Sequence, residues 1–407
     1  MEKTGALSGW KDSVLFTPGP LTTSRTVKLA MLRDYGSRDN DFINIIRDIR
    51  SRLVCQVAGL NPEVFTSVLM QGCGSMGVES VISSVIPQMG SLLIINNGAY
   101  GLRMMQMART LNIKTIELSY REDQIPDVNE IDQCLADNPE LTHIAMVHCE
   151  TTSGIMNPIQ QVGQICIKHN VSYIVDAMSS FGADDIDMEL FNIDYLISSA
   201  NKCIEGVPGF SFILARTEKL LQTKGYARSL CFDLYDQYID LENHGYFRYT
   251  PAVQTLLAFQ QALIELEAEG GVPARCLRYK NNHKLLLDGM DKMGFKPVVN
   301  SEFQGHIITS FYYLDDKKFD FDKLYNRLHK LGFVIYQGKL TNTDCFRIAN
   351  IGRVFESDVM VLLMAIRNVL QQMNVSFNAS KAALFRIEQN NLTTSKRIKN
   401  VIESKIK

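Results

Sequence analysis

Seven short apolar runs recur between residues 66 and 215, spaced by stretches long enough for a crossover helix, and they constrain the fold more than any other feature. The runs are TSVLM (66–70), SLLIIN (91–96), IKTIELS (113–119), THIAMV (142–147), VSYIVD (171–176), DYLISS (194–199) and FSFILA (210–215). Most are apolar at nearly every position, so neither face can look onto water. That pattern predicts a largely parallel sheet covered on both sides, the centre of an α/β domain.

The order changes further on. TPAVQTLLAFQQALIELEAEGG (250–271) reads as a long amphipathic helix with a proline near its start and glycines at its end. Beyond it the spacing predicts a helix over 272–293, strands near 295–299 and 306–313, a helix over 320–331, strands at 333–336 and 344–349, and a helix over 355–373. This is the order of a smaller α+β domain. A chain of 407 residues is long enough for two cores. The expected division is a large domain over 1–270, a small one over 271–375, and a tail over 376–407 rich in Asn, Lys, Ser and Thr.

Charge narrows the partners. A formal charge of −2 gives no electrostatic reason to expect nucleic acid or an anionic membrane surface. No apolar run reaches the ~20 residues of a membrane span, and MEKTGALSGWKDSVLF has no secretory apolar core. Nine irregularly spaced cysteines without a C-x-x-C pair read as free thiols in a reducing compartment, so a cytoplasmic location is expected. Seven histidines form neither H-x-x-x-H nor H-E-x-x-H, so no metal is expected.

Open parallel sheets bind ligands at the carboxyl ends of their strands, and four chemistry-bearing segments fall there. MQGCGSMGVES (70–80) opens a helix whose Gly74, Ser75 and Met76 can offer N–H groups to a phosphate. Asp176 ends a wholly apolar strand, where a carboxylate is costly unless it meets a cation or several donors. Tyr100 stands between glycines in NNGAYGLRM (96–104), where its ring can lie on a planar ligand. HCETTSG (148–154) ends another strand with a cluster of hydroxyls and a glycine. Beside these four, Lys202 sits in the small-residue turn of YLISSANKCIEGVPGFSFILA (195–215), twenty-six residues after Asp176.

Each has an ordinary explanation: turn packing, a helix cap, a solvated lysine. Together they match one ligand. Pyridoxal phosphate needs an amine for its aldehyde, a carboxylate against its pyridinium nitrogen, an aromatic face on its ring and a helix end for its phosphate.

FTPGPLTTSRTVKLAML, HIAMVHCETTSGIMNPI, YIVDAMSSFGA, DYLISSANKCIEGVPGFSF and CFRIANIG closely resemble the class-V, fold-type I pyridoxal-phosphate-dependent transaminases of the alanine–glyoxylate/serine–pyruvate group, over about residues 14–373. The resemblance implies amino transfer from 2-aminoethylphosphonate to pyruvate and a homodimer. It gives Lys202 the cofactor aldehyde and proton shuttling, Asp176 the pyridinium, and Tyr100 the ring face. Thr151 is implied at the ring hydroxyl side, and Ser199 joins Gly74, Ser75 and Met76 at the phosphate. Arg347 is implied to bind the acid end of each substrate, and Thr250 to reach the partner subunit's phosphate. The family pattern has serine and tyrosine where this chain has Cys73 and Met76. Two other readings share the cofactor residues: an alanine–glyoxylate or serine–pyruvate transaminase, and a non-catalytic pyridoxal-phosphate-binding protein.

Overall fold

The computed structural model describes residues 12–376, apart from 339 and 342, so all of the expected tail after Ser376 lies outside the described residues. All seven predicted runs enter one sheet: β1 (Phe65–Gln71), β2 (Ser91–Asn96), β3 (Lys114–Ser119), β4 (His143–Val147), β5 (Ser172–Asp176), β6 (Tyr195–Ser199) and β7 (Phe210–Arg216). The spatial order is β1-β7-β6-β5-β4-β2-β3. The pairs among β3, β2, β4, β5 and β6 are parallel, whereas β7 runs antiparallel to both β6 and β1. The expected α/β architecture with a mostly parallel seven-stranded sheet is therefore present.

Helices cover both faces, which is why most of these strands are apolar throughout. Ile94, Ile144, Ile174, Ile197 and Ile213 are all inaccessible to solvent. Fully burying such a side chain contributes about 1.5–3 kcal/mol. The edge strand β3 departs from the pattern: KTIELS is only partly buried and carries a lysine and a glutamate. Charge on an edge strand discourages pairing with another chain.

The predicted long helix spans Val253–Glu269 and stops at Gly270, whose φ of +109° suits a residue without a Cβ. A second helix, Gly271–Lys292, follows directly. Its later turns pack into a separate core with the helices Phe321–Lys330 and Glu356–Gln372. That core rests on a three-stranded antiparallel sheet of β8 (Ile308–Tyr312), β9 (Tyr336–Gln337) and β10 (Cys345–Ala349), in the order β8-β10-β9. Phe295 and Phe346 meet edge-on within it, with centroids 5.3 Å apart.

Two sequence expectations change here. Residues 295–299 form no strand; Pro297 makes a single bridge to Phe311, as suits a residue with no N–H to give a ladder. The beginning of the chain also crosses over: Val14–Leu15 pairs in parallel with Phe333–Val334, and Phe16 is buried in the second core.

Candidate active site

Asp176 and Lys202 meet because β5 and β6 are parallel neighbours. Asp176 is in register with Ile197, so both strands end at the same edge, and the chain beyond Ser199 turns back into antiparallel β7. Lys202 occupies that turn. A cavity of about 170 Å³ opens there, lined by Gly74, Ser75, Tyr100, Asp176, Ser199 and Lys202, with Cys73, Arg103, Met178 and Asn201 also on its wall.

Asp176 is buried, its Oδ1 accepts the Met178 N–H at 2.9 Å, and it makes no ion pair among the described residues. Burial lifts its carboxyl to about 6; the Met178 N–H and the charges of Lys202 and Arg103 oppose the rise, and Glu150 adds to it. Burial also pulls the Lys202 ammonium below its ordinary value; Cys203, Asp176 and Cys149 oppose this and Arg347 reinforces it. Lys202 Nζ donates to the Pro18 carbonyl at 2.5 Å. The adjacent Gly19 has a φ of +126°, and a Cβ there would stand 3.0 Å from the amine. The FTPGP segment thus closes over the lysine.

The same cavity meets the start of the helix α1 (Gly74–Val85), with Cys73 as N-cap and no side-chain cap bond. The first N–H groups of a helix have no intrahelical partner, so Gly74 and Ser75 face the cavity with a positive helix end. Met76 does not share this role: its N–H donates to the Cys73 carbonyl at 2.9 Å, and its side chain is exposed. That expectation is corrected by the turn itself.

Tyr100 lies in the first turn of α2 (Ala99–Thr110). Its N–H donates to Glu150 Oε2 at 3.3 Å, and the Arg103 guanidinium stands 4.8 Å from its ring centroid. Arg103 Nη1 also donates to Ser75 Oγ at 2.7 Å, placing a cation beside the start of α1. Burial raises the Tyr100 phenol above its usual value, against the pull of Arg103 and Arg347. Glu150, wholly buried, accepts from the Thr152 N–H at 3.1 Å and the Thr152 hydroxyl at 2.6 Å. Sequence reasoning passed over Arg103 and Glu150. The only local signal was their place inside segments already singled out, NNGAYGLRM and HCETTSG.

Thr151 and Arg347 stand together beside this cavity rather than on its wall. Along β10 the side chains alternate, so Phe346 and Ile348 enter the second core while Arg347 turns to the large sheet. Arg347 is 2% exposed and donates to the Thr151 carbonyl at 3.1 Å and the Gln337 carbonyl at 3.2 Å. It makes no ion pair with a carboxylate among the described residues, and burial lowers its pKa. Ser310, its register partner, donates to the Thr152 carbonyl at 2.9 Å, so β8 and β10 both dock on the 151–152 loop. Thr151 Oγ1 meets Ser179 Oγ at 2.8 Å. Thr250 is exposed and not on the cavity wall; the preceding Tyr249 carbonyl accepts from Gln71 Nε2 at 2.9 Å.

A profile of the aminotransferase class-V family matches residues 31–339. The chain belongs to this family. It is 49% identical over 362 residues to the 2-aminoethylphosphonate–pyruvate transaminase of Klebsiella pneumoniae, covering 88% of this chain and 98% of that one. The Bacillus cereus protein of the same name is 50% identical over 354 residues, covering 87% and 96%. Among solved structures, ureidoglycine–glyoxylate aminotransferase of Bacillus subtilis superposes with a TM-score of 0.83 at 20% identity, over 98% of this chain and 100% of the other. Pyridoxamine–pyruvate aminotransferase of Mesorhizobium loti gives 0.81 at 21% identity, over 97% and 98%. These two agree in fold. No helix among the described residues is long and apolar enough to cross a membrane.

Proposed function

We propose that this class-V aminotransferase uses pyridoxal phosphate to move the amino group of 2-aminoethylphosphonate to pyruvate, giving phosphonoacetaldehyde and L-alanine. The observation that carries the substrate is the near-50% identity, along almost the whole length, to transaminases named for it. The glyoxylate enzyme of the same fold is far more distant, at 20%.

Three observations support the fit of the cofactor. Asp176 is a buried carboxylate with no cation paired to it among the described residues, so a protonated ring nitrogen would relieve its desolvation. The start of α1 and Arg103 offer donors and positive charge on the wall of the same cavity, as a phosphate requires. Lys202 lines the same cavity as Asp176, with its ammonium form disfavoured by burial.

When bound, pyridoxal phosphate supplies an electron-withdrawing ring that acidifies the amino-bearing carbon of the substrate. Lys202 would serve as the nucleophilic amine and would carry the proton at that carbon; its lowered pKa keeps a fraction neutral for both tasks. Asp176 would hold the proton at the ring nitrogen, and Tyr100, its backbone held by Glu150, would support the ring face. Gly74, Ser75, Ser199 and Arg103 would hold the phosphate, and Thr151 would serve the ring hydroxyl side. Arg347 anchors the phosphonate of one substrate and the carboxylate of the other by charge-assisted hydrogen bonds.

A homodimer in which Thr250 serves the neighbouring phosphate belongs to the same reading, as do the division at residue 270 and a cytoplasmic location. The exposure of Thr250 supports the first of these, and the two separate cores support the second. The test is a donor screen with purified protein. 2-Aminoethylphosphonate with pyruvate is expected to turn over far faster than serine with pyruvate or alanine with glyoxylate. Turnover of the carboxylate pairs with none of the phosphonate would give the function to the alanine–glyoxylate/serine–pyruvate group.

A further inference from the structure

Behind the lysine turn, three segments far apart in sequence bring a carboxylate, a thiol and an imidazole together. Asp184 follows β5, Cys276 lies in the helix Gly271–Lys292, and His306 precedes β8. One ligand atom from each lies within 4.8 Å of the others. His306 Nε2 is 3.6 Å from Asp184 Oδ1 and 3.8 Å from Cys276 Sγ. Tetrahedral zinc, with bonds of about 2.0 Å to nitrogen and oxygen and 2.3 Å to sulfur, has edges of about 3.3–3.5 Å between such atoms. Two of the three separations are therefore within a few tenths of an ångström of a coordination edge.

We propose that Asp184, Cys276 and His306 form a binding site for a thiophilic divalent cation of the zinc type, separate from the transaminase centre.

The chemistry of the cluster supports this. Asp184 Oδ2 is buried with no hydrogen-bond partner among the described residues, a costly state for a carboxylate oxygen that a cation would relieve. His306 Nε2, the nitrogen that faces both Asp184 and Cys276, offers its lone pair when the imidazole is neutral, the form in which histidine binds metals. Burial raises the Cys276 thiol above its ordinary value, against the pull of the Lys280 ammonium, so the metal itself must displace the proton. A thiolate and a carboxylate balance a divalent charge, and sulfur with imidazole selects zinc-type ions over magnesium or calcium. Asp184, Cys276 and Lys280 line a cavity of about 700 Å³ open to solvent, which gives an ion entry and water the fourth position. On binding, the Cys276 S–H yields its proton to solvent as the sulfur–metal bond forms. No spacing motif announces the site, because its ligands come from three separate segments.

The test is calorimetric titration of the reduced, chelator-treated protein, carrying its own cofactor, with Zn²⁺ in two buffers of different ionisation heat. The expected result is one Zn²⁺ per chain, release of about one proton from the thiol, and a higher Tm with metal. Cys276→Ser and the isosteric Asp184→Asn should each weaken binding by at least about 100-fold, the upper end of outer-shell losses. Cys231→Ser, at an exposed cysteine elsewhere, should bind as the wild type does. The Tm values without metal report whether each variant folds. No stoichiometric uptake by the wild type, or equal affinity in folded Cys276→Ser and Asp184→Asn, overturns the proposal; the cluster is then a histidine–carboxylate contact only.

Discussion

Arg347 reaches from the small sheet to the large one and donates to the Thr151 carbonyl at 3.1 Å. The contact ties the strand carrying the guanidinium to the loop after β4, beside the cavity that holds Lys202. A buried arginine satisfied only by neutral carbonyls still carries its full charge, and that charge is available to an anion.

Removing it should therefore affect substrates and not cofactor. Truncating one partner of a desolvated charge pair costs about 2–5 kcal/mol. Arg347→Ala is expected to lose roughly 30- to 3,000-fold in kcat/KM in both half-reactions, at about 1.4 kcal/mol per tenfold. The absorption spectrum of the bound cofactor should be retained. Arg347→Lys should restore little, since a point ammonium cannot form the two-pronged contact. Turnover of 2-aminoethylphosphonate by Arg347→Ala at the wild-type rate would exclude the residue as the anchor.

Asp176 gives a prediction in pH. Burial lifts its carboxyl to about 6, against about 3.9 in an unfolded chain. Between these values the native state binds more protons than the unfolded one, so stability falls as pH rises. The contribution is fully present below about pH 4 and lost by about pH 6, a difference of about 3 kcal/mol. Cofactor-free Asp176→Asn should lack this fall and unfold at a higher temperature than cofactor-free wild type at pH 7. Added pyridoxal phosphate should stabilise the wild type more than the variant. Thermal scans from pH 4 to 7 decide it, and parallel slopes in the two proteins would refute the assignment.

Thr250 leads to a prediction about assembly. Its exposure beside the Tyr249–Gln71 contact suits a hydroxyl that acts in the partner of an isologous dimer. Lys202→Ala should be inactive and Thr250→Ala impaired in cofactor retention. Mixed dimers should regain sites that are intact at both positions, and activity should rise on mixing. Sedimentation should give a dimer; an active monomer would contradict the assignment.

Much of this was legible in single stretches of sequence. A strand buried on both faces must be apolar throughout, so the inner strands of the large sheet show in local composition, and the half-buried edge strand β3 shows by its β-branched residues and spacing. Their ends mark the ligand-binding edge, which is why Asp176 and Lys202 could be named before any coordinates. The second domain was less legible: Pro297 breaks a run that composition alone passes as a strand.

What the chain order could not reveal is which distant segments touch. The Pro18 carbonyl on Lys202, Arg103 beside Ser75, Glu150 against the Tyr100 N–H, and Val14–Leu15 beside Phe333–Val334 are decided by packing between separate segments. The same holds for the convergence of Asp184, Cys276 and His306. Hydrophobic periodicity records whether a residue is buried, and turn chemistry records where the chain reverses. Neither records its neighbour across the core, because that is fixed only when the sheet closes its order and the second core docks on the 151–152 loop.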